Sequence, residues 1–317
     1  MRARILLGVA GPFVMAAVAG ALAPDWIVSL ATIAFANALA VLGLVVMWRA
    51  GLISFGQALY YCVGAYAVAL TGRWAGITDA FILVLLGGVA SWLIAAIVGF
   101  LLARYREIFF AMLSLALSMI LYGGLVKTES LGSTDGFSIS TPTFAGYAPH
   151  SAAMLQLSLY WLTLLVCFLA ALGVGAYFRS VAGSLAAPIR DNEIRVEFLG
   201  ASVTRLIHVK VMIAGLLAGI GGALAALAIG HVDPNMAYWT TSGGFVFVTV
   251  LAGSSSVAAA FIGSLLFESL RSAAFDLMPG LWQITLGSVL LVTIMFLPEG
   301  LGSILVRLRR RSSAKPS

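Results

Sequence analysis

The stretch WIVSLATIAFANALAVLGLVVMW, residues 26–48, contains no charged side chain. An α-helix rises about 1.5 Å per residue, so a run of this length crosses the roughly 30 Å of hydrocarbon in a bilayer. Charged residues make up 9% of the 317-residue chain and hydrophobic types 62%, whereas soluble domains carry about 25% charged residues. The apolar runs are continuous and do not alternate as in an outer-membrane barrel. The sequence therefore predicts an all-α polytopic membrane protein.

Similar apolar runs recur along the whole chain, and we predict about ten transmembrane helices, including short or broken ones. They form a single transmembrane domain over residues 1–317. The run 241–252 is short and ends at the Gly253-Ser254-Ser255-Ser256 break, which indicates a half-helix or a bent pair. A division near residue 150 gives two five-span halves of opposite topology, as in many transporters. The predicted spans are 5–23, 26–48, 52–71, 79–103, 107–126, 155–178, 206–229, 241–252, 257–275 and 280–298.

The distribution of Lys and Arg predicts the orientation. With ten spans both termini lie in the cytoplasm, and 15 of the 18 basic residues then lie on that side, as the positive-inside rule requires. Only Arg73, Lys127 and Arg271 remain outside. The net charge of +6 is therefore explained by membrane topology and not by nucleic-acid binding. The predicted cytoplasmic residues are Arg2, Arg4, Arg49, Arg104, Arg106, Arg179, Arg190, Arg195, Arg205, Lys210, Arg307, Arg309, Arg310, Arg311 and Lys315.

Two loops are long. The predicted outer loop, 127–154, is rich in Ser, Thr, Gly and Pro and contains a turn signal at 132–136. Of the two loops, the predicted cytoplasmic loop, 179–205, is the strongly charged one. Within it, Pro188 suits the first turn of a helix over 189–199, and Gly200 suits its end. Two interpretations remain open: a solvated connector at the lipid interface, or a coupling helix that inserts into a soluble partner.

The interiors of the predicted spans contain few ionisable or catalytic side chains. No metalloprotease, nucleophile-elbow or phosphate-loop motif occurs, and His150, His208 and His231 lie far apart, so we expect no metal site and no intramembrane enzyme. Glu268 and Arg271 form an i, i+3 pair near the outer end of one span. We interpret them as a neutralised ion pair facing the protein interior, with a gate or a subunit contact as the alternative. Without coupling-ion groups, transport needs an energised partner, or the protein is a passive channel.

Several polar or small residues are candidates for a translocation path. An unpaired amide in hydrocarbon costs several kcal/mol, so Gln57 must face protein or water. It either bonds helices together or lines a path, and the same two roles are open for Ser54 and Asn37. Ser114 and Ser118 share one helix face, where hydrogen bonding to their own helix is the common role. The path candidates are Asn37, Ser54, Gln57, Gly64, Ser114 and Ser118.

Four segments, taken in order, resemble the permease subunits of branched-chain amino-acid ABC transporters. APIRDNEIRVEFLG at 187–200 is similar to the family's cytoplasmic coupling loop, and GLISFGQALYYCVGAYAVAL at 51–70 to its Gly-x-x-Ser-x-Gly segment. LGSTDGFSI at 131–139 resembles the outer-loop segment that follows the fifth span, and FLPEGL at 296–301 the C-terminal motif. The resemblance covers residues 30 to 302 and identifies the chain as a member of this family.

This resemblance implies a type II-like ABC importer permease in the bacterial inner membrane. The expected solute is a branched-chain amino acid or a related amide, urea or aromatic acid. The expected partners are ABC ATPase subunits, a homologous second permease subunit and a periplasmic or lipid-anchored substrate-binding protein, besides membrane lipid. This chain then holds no cofactor, because ATP and Mg bind to the ATPase subunit. The alternative is a stand-alone channel or facilitator for a small polar solute.

The resemblance also assigns residues. It places Gly132, Asp135 and Gly136 near the binding protein. The segment GSSSVAAAFIG at 253–263 departs from the family's glycine-rich pattern, but Ser and Ala are small enough for close helix packing. The residues expected to couple to the ATPase are Pro188, Ile189, Arg190, Asp191, Asn192, Glu193, Glu197 and Gly200.

Overall fold

The computed structural model describes residues 2–253, 256–277 and 279–296, with side chains from Gly11 onward except at 282, 290, 293 and 294. Most of the FLPEGL segment and the basic residues that follow it lie outside the described residues. Most of the described residues are helical. The α-helices are α1 (Arg2–Leu22), α2 (Asp25–Trp48), α3 (Gln57–Ala75), α4 (Ala80–Leu102), α5 (Glu107–Lys127), α6 (Ala152–Tyr177), α7 (Val181–Ser184), α8 (Ala186–Asp191), α9 (Glu193–Phe198), α10 (Val203–Ile229), α11 (Trp239–Ala252), α12 (Val257–Leu277) and α13 (Trp282–Phe296).

Six helices are long and apolar enough to cross a membrane, namely α2, α4, α5, α6, α10 and α12. The other predicted spans correspond to α1, α3, α11 and α13. Helix α11 has 14 residues, which makes it about 21 Å long and too short to cross the hydrocarbon alone. This length agrees with the half-helix that the sequence predicts at 241–252.

The centre of the protein is formed by α2 and α10, which pack against each other and against α3, α4 and α12. Glycines allow this contact. A Cβ atom at Gly64 of α3 would collide with the carbonyl oxygen of Gly219, and one at Gly222 with that of Tyr61. The small-residue face of α10 therefore brings backbones together, as expected for membrane helices that lack a hydrophobic driving force between them.

The loops gather on two sides of the helical layer. On one side, Arg106 pairs with Glu193 at 2.6 Å, and the Arg49 guanidinium lies 3.7 Å from the Phe178 ring centroid. We call this the basic side. On the opposite, far side, the Ala80 amide donates to the Thr143 carbonyl oxygen at 2.8 Å. There β1 (Phe137–Ser138) pairs antiparallel with β2 (His231–Val232).

Two local predictions are wrong. The span predicted to start at residue 52 becomes helical only at Gln57. The helix predicted over 189–199 is two short helices, because Asn192 is extended at φ −164° and interrupts it. Pro188 is the third residue of α8, where its missing N–H still falls within the unbonded first turn.

Candidate functional site

Two segments without α-helix penetrate the helical layer from opposite sides. The first inserted segment, 49–56, connects α2 to α3 from the basic side, and the second inserted segment, 230–238, connects α10 to α11 from the far side. Gln57, the first residue of α3, donates from Nε2 to the Ala40 carbonyl oxygen at 3.2 Å. Ala40 lies about 12 Å along α2 from its end at Trp48. Helix α3 therefore begins well inside the layer.

The helices that follow these segments meet at their first turns. The Ala58 amide donates to the Ser242 hydroxyl oxygen at 2.9 Å, and the Tyr61 and Phe245 rings lie 5.1 Å apart. The first N–H groups of a helix have no partner within it, and the buried Ser242 satisfies one of them. Transporters build midplane sites from discontinuous helices of this kind.

Helix α5 contacts both inserted segments through one face. The Ser114 hydroxyl oxygen accepts from the Phe55 amide at 3.1 Å, and the Ser118 hydroxyl donates to the Ala237 carbonyl oxygen at 2.8 Å. Ser114 also donates to Ala111 of its own helix, the role that sequence reasoning favours. The sequence indicates the shared face of these two serines but not their partners.

Three other path candidates are buried between helices. Gln57 also donates to the Ala214 carbonyl oxygen at 3.0 Å and so joins α3 to α10 as well as α2. Ser54 accepts from the Gly56 amide at 3.2 Å, and Gly64 packs on α10. The Gln57 contacts fit the interpretation as a bond between helices, whereas the Ser54 hydrogen bond stays within its own segment. A role for these residues in lining the path stays a prediction.

Asn37 occupies a different environment. Its Oδ1 accepts from the Tyr61 hydroxyl at 2.8 Å, and it lines a cavity of about 380 Å³ between α2, α11, α12 and the second inserted segment. We call this the far-side cavity. Glu268 and Arg271 lie on its wall, joined at 2.5 Å. Glu268 is 6% exposed, so the expected ion pair is confirmed, with its carboxylate buried.

The charged loop on the basic side combines anchoring with exposure. Ile189 of α8 and Val196 of α9 are each 1% exposed and join the core, whereas Phe198 is 88% and Leu199 77% exposed. The Asn192 side chain caps α9 by accepting from the Arg195 amide at 3.0 Å. Pro188, Arg190, Asp191, Asn192, Glu197 and Gly200 are exposed. Ile189 therefore anchors the loop, and Phe198 and Leu199, which were not among the predicted coupling residues, form an exposed apolar pair at the end of α9.

The far-side loop is fastened to the second inserted segment. Gly132 and Gly136 have φ values of +89° and +68°, a conformation that glycine adopts without steric cost. A Cβ atom at Gly136 would collide with the Val232 carbonyl oxygen. The Asp135 carbonyl oxygen lies 3.0 Å from His231 Nε2, and Asp135 itself is exposed. A protein bound to this loop would therefore contact residues that are themselves bonded to the second inserted segment.

Comparison with known families identifies the protein family. Residues 26–297 match the family described as the permease component of branched-chain amino acid transport systems. The chain belongs to this permease family. It is similar to the high-affinity branched-chain amino acid transport system permease protein LivM of Salmonella typhimurium, with 26% identity over 299 residues that cover 86% of this chain and 69% of the relative. LivM of Escherichia coli is 26% identical over 328 residues, covering 94% and 73%. No solved structure matched the chain.

This permease is thus a multi-pass membrane protein and a transport subunit, not a catalytic enzyme. Two further contacts connect its basic-side loop to the first inserted segment and to α5. A Cβ atom at Gly51, where φ is +77°, would lie 2.9 Å from Arg190 Cγ, so α8 abuts the first inserted segment. Arg106, which pairs with Glu193, directly precedes α5. The residue Arg106 was not among the predicted coupling residues, because its partner lies 87 positions away.

Proposed function

We propose that this chain is the permease subunit of an ATP-driven ABC importer in the bacterial inner membrane. It would form the translocation path for branched-chain amino acids or a related small solute, such as an amide, urea or an aromatic acid. Its termini and basic side would face the cytoplasm. ABC ATPase subunits would bind ATP and Mg, a second permease subunit would complete the path, and a periplasmic or lipid-anchored binding protein would deliver the solute. The membership in the permease family and the names of the LivM relatives support this proposal.

The observation that carries the proposal is the exposed apolar surface of α9 and the residue after it. Ile194, Phe198 and Leu199 are 66%, 88% and 77% exposed, and contiguous exposed apolar residues mark interaction sites. The same helix places the charged residues Glu193, Arg195 and Glu197 beside this apolar surface, and an apolar centre with a polar rim is the arrangement of protein–protein interfaces. A groove on an ATPase subunit accommodates such a helix.

The contacts of the loop suggest how closure of the ATPase subunits would reach the interior. Because Ile189 and Val196 are buried, the loop would move with the helices it is packed on. Arg190 would press on the first inserted segment at Gly51, and Glu193 would pull α5 through Arg106. Since α5 bonds to both inserted segments, one displacement would act on both ends of the path.

The test is purification of the tagged chain from its native membrane, followed by an ATPase assay. We expect an ATPase subunit to co-purify with the wild type. Truncation of an aromatic anchor at an interface costs about 2 kcal/mol or more, so Phe198→Ala should reduce the recovery about tenfold or more. The control is Trp74→Ala. Trp74 is an aromatic residue that is 70% exposed and lies at the C-terminal end of α3, away from the basic side.

Two outcomes would contradict the proposal. A chain that purifies alone and conducts solute in liposomes without ATP supports the stand-alone facilitator. Equal recovery of the ATPase subunit with Phe198→Ala and Trp74→Ala removes α9 from the docking surface.

A further inference from the structure

The far-side cavity has an amphiphilic lining. Phe245 of α11 and Phe267 of α12 supply apolar surface, while Asn37 and Asp233 supply polar groups from α2 and the second inserted segment. Its volume of about 380 Å³ falls in the range of roughly 300–1,000 Å³ that is typical of small-molecule sites. A neighbouring cavity of about 440 Å³ along α2 and α12 shares the Glu268 wall with it.

Charges of both signs converge on this cavity. The Glu268 carboxylate accepts from Arg271 Nη2 at 2.5 Å and from the Asn37 side chain. Arg271 is partly exposed, and a guanidinium has five N–H donors, so donors remain for an anionic group. Asp233 accepts the Asn235 amide with Oδ1, and an ionised carboxylate has acceptor capacity beyond one bond.

A buried hydroxyl without a partner faces the same space. Ser264 lines the cavity and is 2% exposed, yet its Oγ has no hydrogen-bond partner among the residues that the structure describes. Leaving a buried polar group unbonded costs about 1–3 kcal/mol, which indicates that a ligand or water completes the site. The first turns of α11 also reach the cavity through Thr240, Thr241 and Gly244, and a helix N-terminus favours a negative group.

We propose that the far-side cavity is a substrate site of the permease itself, and that it takes a zwitterionic α-amino acid with a short branched apolar side chain. The ligand carboxylate is directed to Arg271 and the start of α11, and its ammonium group to Glu268 and Asp233. The apolar side chain lies against Phe245 and Phe267, and Ser264 donates to or accepts from the ligand. This inference rests on the proposed function, because the site is of use only if the chain transports such a solute.

The position of the site gives it a role in the path. Its lining includes Tyr61, which bonds to Asn37 and lies 5.1 Å from the Phe245 ring, about one helical turn from the Ala58–Ser242 contact. A ligand in the cavity therefore lies on the first turns of both discontinuous helices, α3 and α11. Any displacement of these turns by α5 would change the shape of the cavity. The affinity for the ligand is therefore coupled to the positions of α3 and α11.

The test measures binding of tritiated L-leucine to the complete permease–ATPase complex in nanodiscs, without the binding protein. We expect saturable binding. Ser264→Ala removes the unpartnered hydroxyl and should weaken binding about tenfold, since a hydrogen bond to a charged group contributes enough for that factor. If Ser264 were merely structural, the removal of an unsatisfied hydroxyl would leave the affinity unchanged. The matched control is Ser269→Ala, an exposed residue of the same helix that bonds to Leu265.

Competition tests the chemical class. 3-Methylbutylamine lacks the carboxylate and 4-methylpentanoate lacks the ammonium group, so each should compete at least tenfold less well than L-leucine. Equal competition by either compound would overturn the zwitterion assignment.

Parallel uptake assays separate this inference from the proposed function. If proteoliposomes with the binding protein and ATP accumulate leucine, but the complex shows no saturable binding or an unchanged affinity with Ser264→Ala, the cavity is not a substrate site and the importer remains. If leucine uptake does not depend on ATP and the binding protein, the proposed function fails and this inference fails with it.

Discussion

Gln57 joins three helices through one side chain. From the start of α3 it donates to Ala40 of α2 and to Ala214 of α10, and it is fully buried. The close approach of α3 and α10 that this geometry needs depends on Gly64, which has no room for a Cβ atom against Gly219. The Gln57 amide and the missing Cβ atom of Gly64 therefore determine the position of α3.

Gly64→Ala should destabilise the protein. The added methyl group meets a backbone carbonyl, which cannot move aside as a flexible side chain can, and overpacking of this kind costs about 1–3 kcal/mol. We expect a lower Tm for the protein in nanodiscs. Gly123→Ala is the control, because a Cβ atom there contacts nothing within 4 Å. An equal Tm for the two variants would show that α3 and α10 separate at no cost.

At the scale of elements, α5 and α9 form one connected unit on the basic side. Arg106 and Glu193 are about one-third exposed, and a pair of this kind contributes only about 0.2–1 kcal/mol to stability. Its position matters more than its energy, because Arg106 leads into α5 and α5 bonds to both inserted segments. The pair is thus placed to transmit movement more than to hold the fold.

Charge reversal of this pair should uncouple ATP hydrolysis from transport. Arg106→Glu and Glu193→Arg each bring like charges together, so we expect reduced ATP-driven uptake with little change in Tm. The double variant restores opposite charges and should recover part of the uptake. Arg205→Glu, at an exposed position of the same side, is the control for charge alone. Absence of recovery in the double variant would show that the two side chains act independently.

The whole molecule presents two chemically different sides. The basic side carries Arg49, Arg106 and the 179–205 loop, whereas the far side carries the loop at 127–154 and the second inserted segment. Positive charge retained in the cytoplasm predicts which side faces inward. The two cysteines, Cys62 and Cys167, are free and buried, so a new exposed thiol reports its own side.

A membrane-impermeant maleimide should therefore label single cysteine substitutions on the two loops from opposite sides of the membrane. We expect Ala148→Cys, in the far-side loop, to react on spheroplasts. Val181→Cys, which replaces a side chain that is 77% exposed, should react only in inside-out vesicles. The wild type should stay unlabelled in both preparations. Labelling of both new thiols from one side would contradict the topology.

Sequence reasoning reached the features that depend on neighbouring residues. The helical membrane class follows from uninterrupted apolar runs, the Glu268–Arg271 pair from i, i+3 spacing, and the shared face of Ser114 and Ser118 from i, i+4 spacing. It did not find the interruption of the coupling segment at Asn192, because an Asn that caps a helix looks the same in sequence as one inside a charged helix.

By itself the sequence determined that this chain is a helical membrane protein with one charged loop, since hydropathy and helical periodicity are local properties. Only the tertiary structure decided that Ala58 meets Ser242, 184 positions away in the sequence, and that α3 begins inside the helical layer. It also decided that Ile189 is buried while Phe198 is exposed. These outcomes depend on which helices pack together. In a bilayer that choice rests on small-residue contacts and hydrogen bonds between distant segments, not on the hydrophobicity that all the spans share.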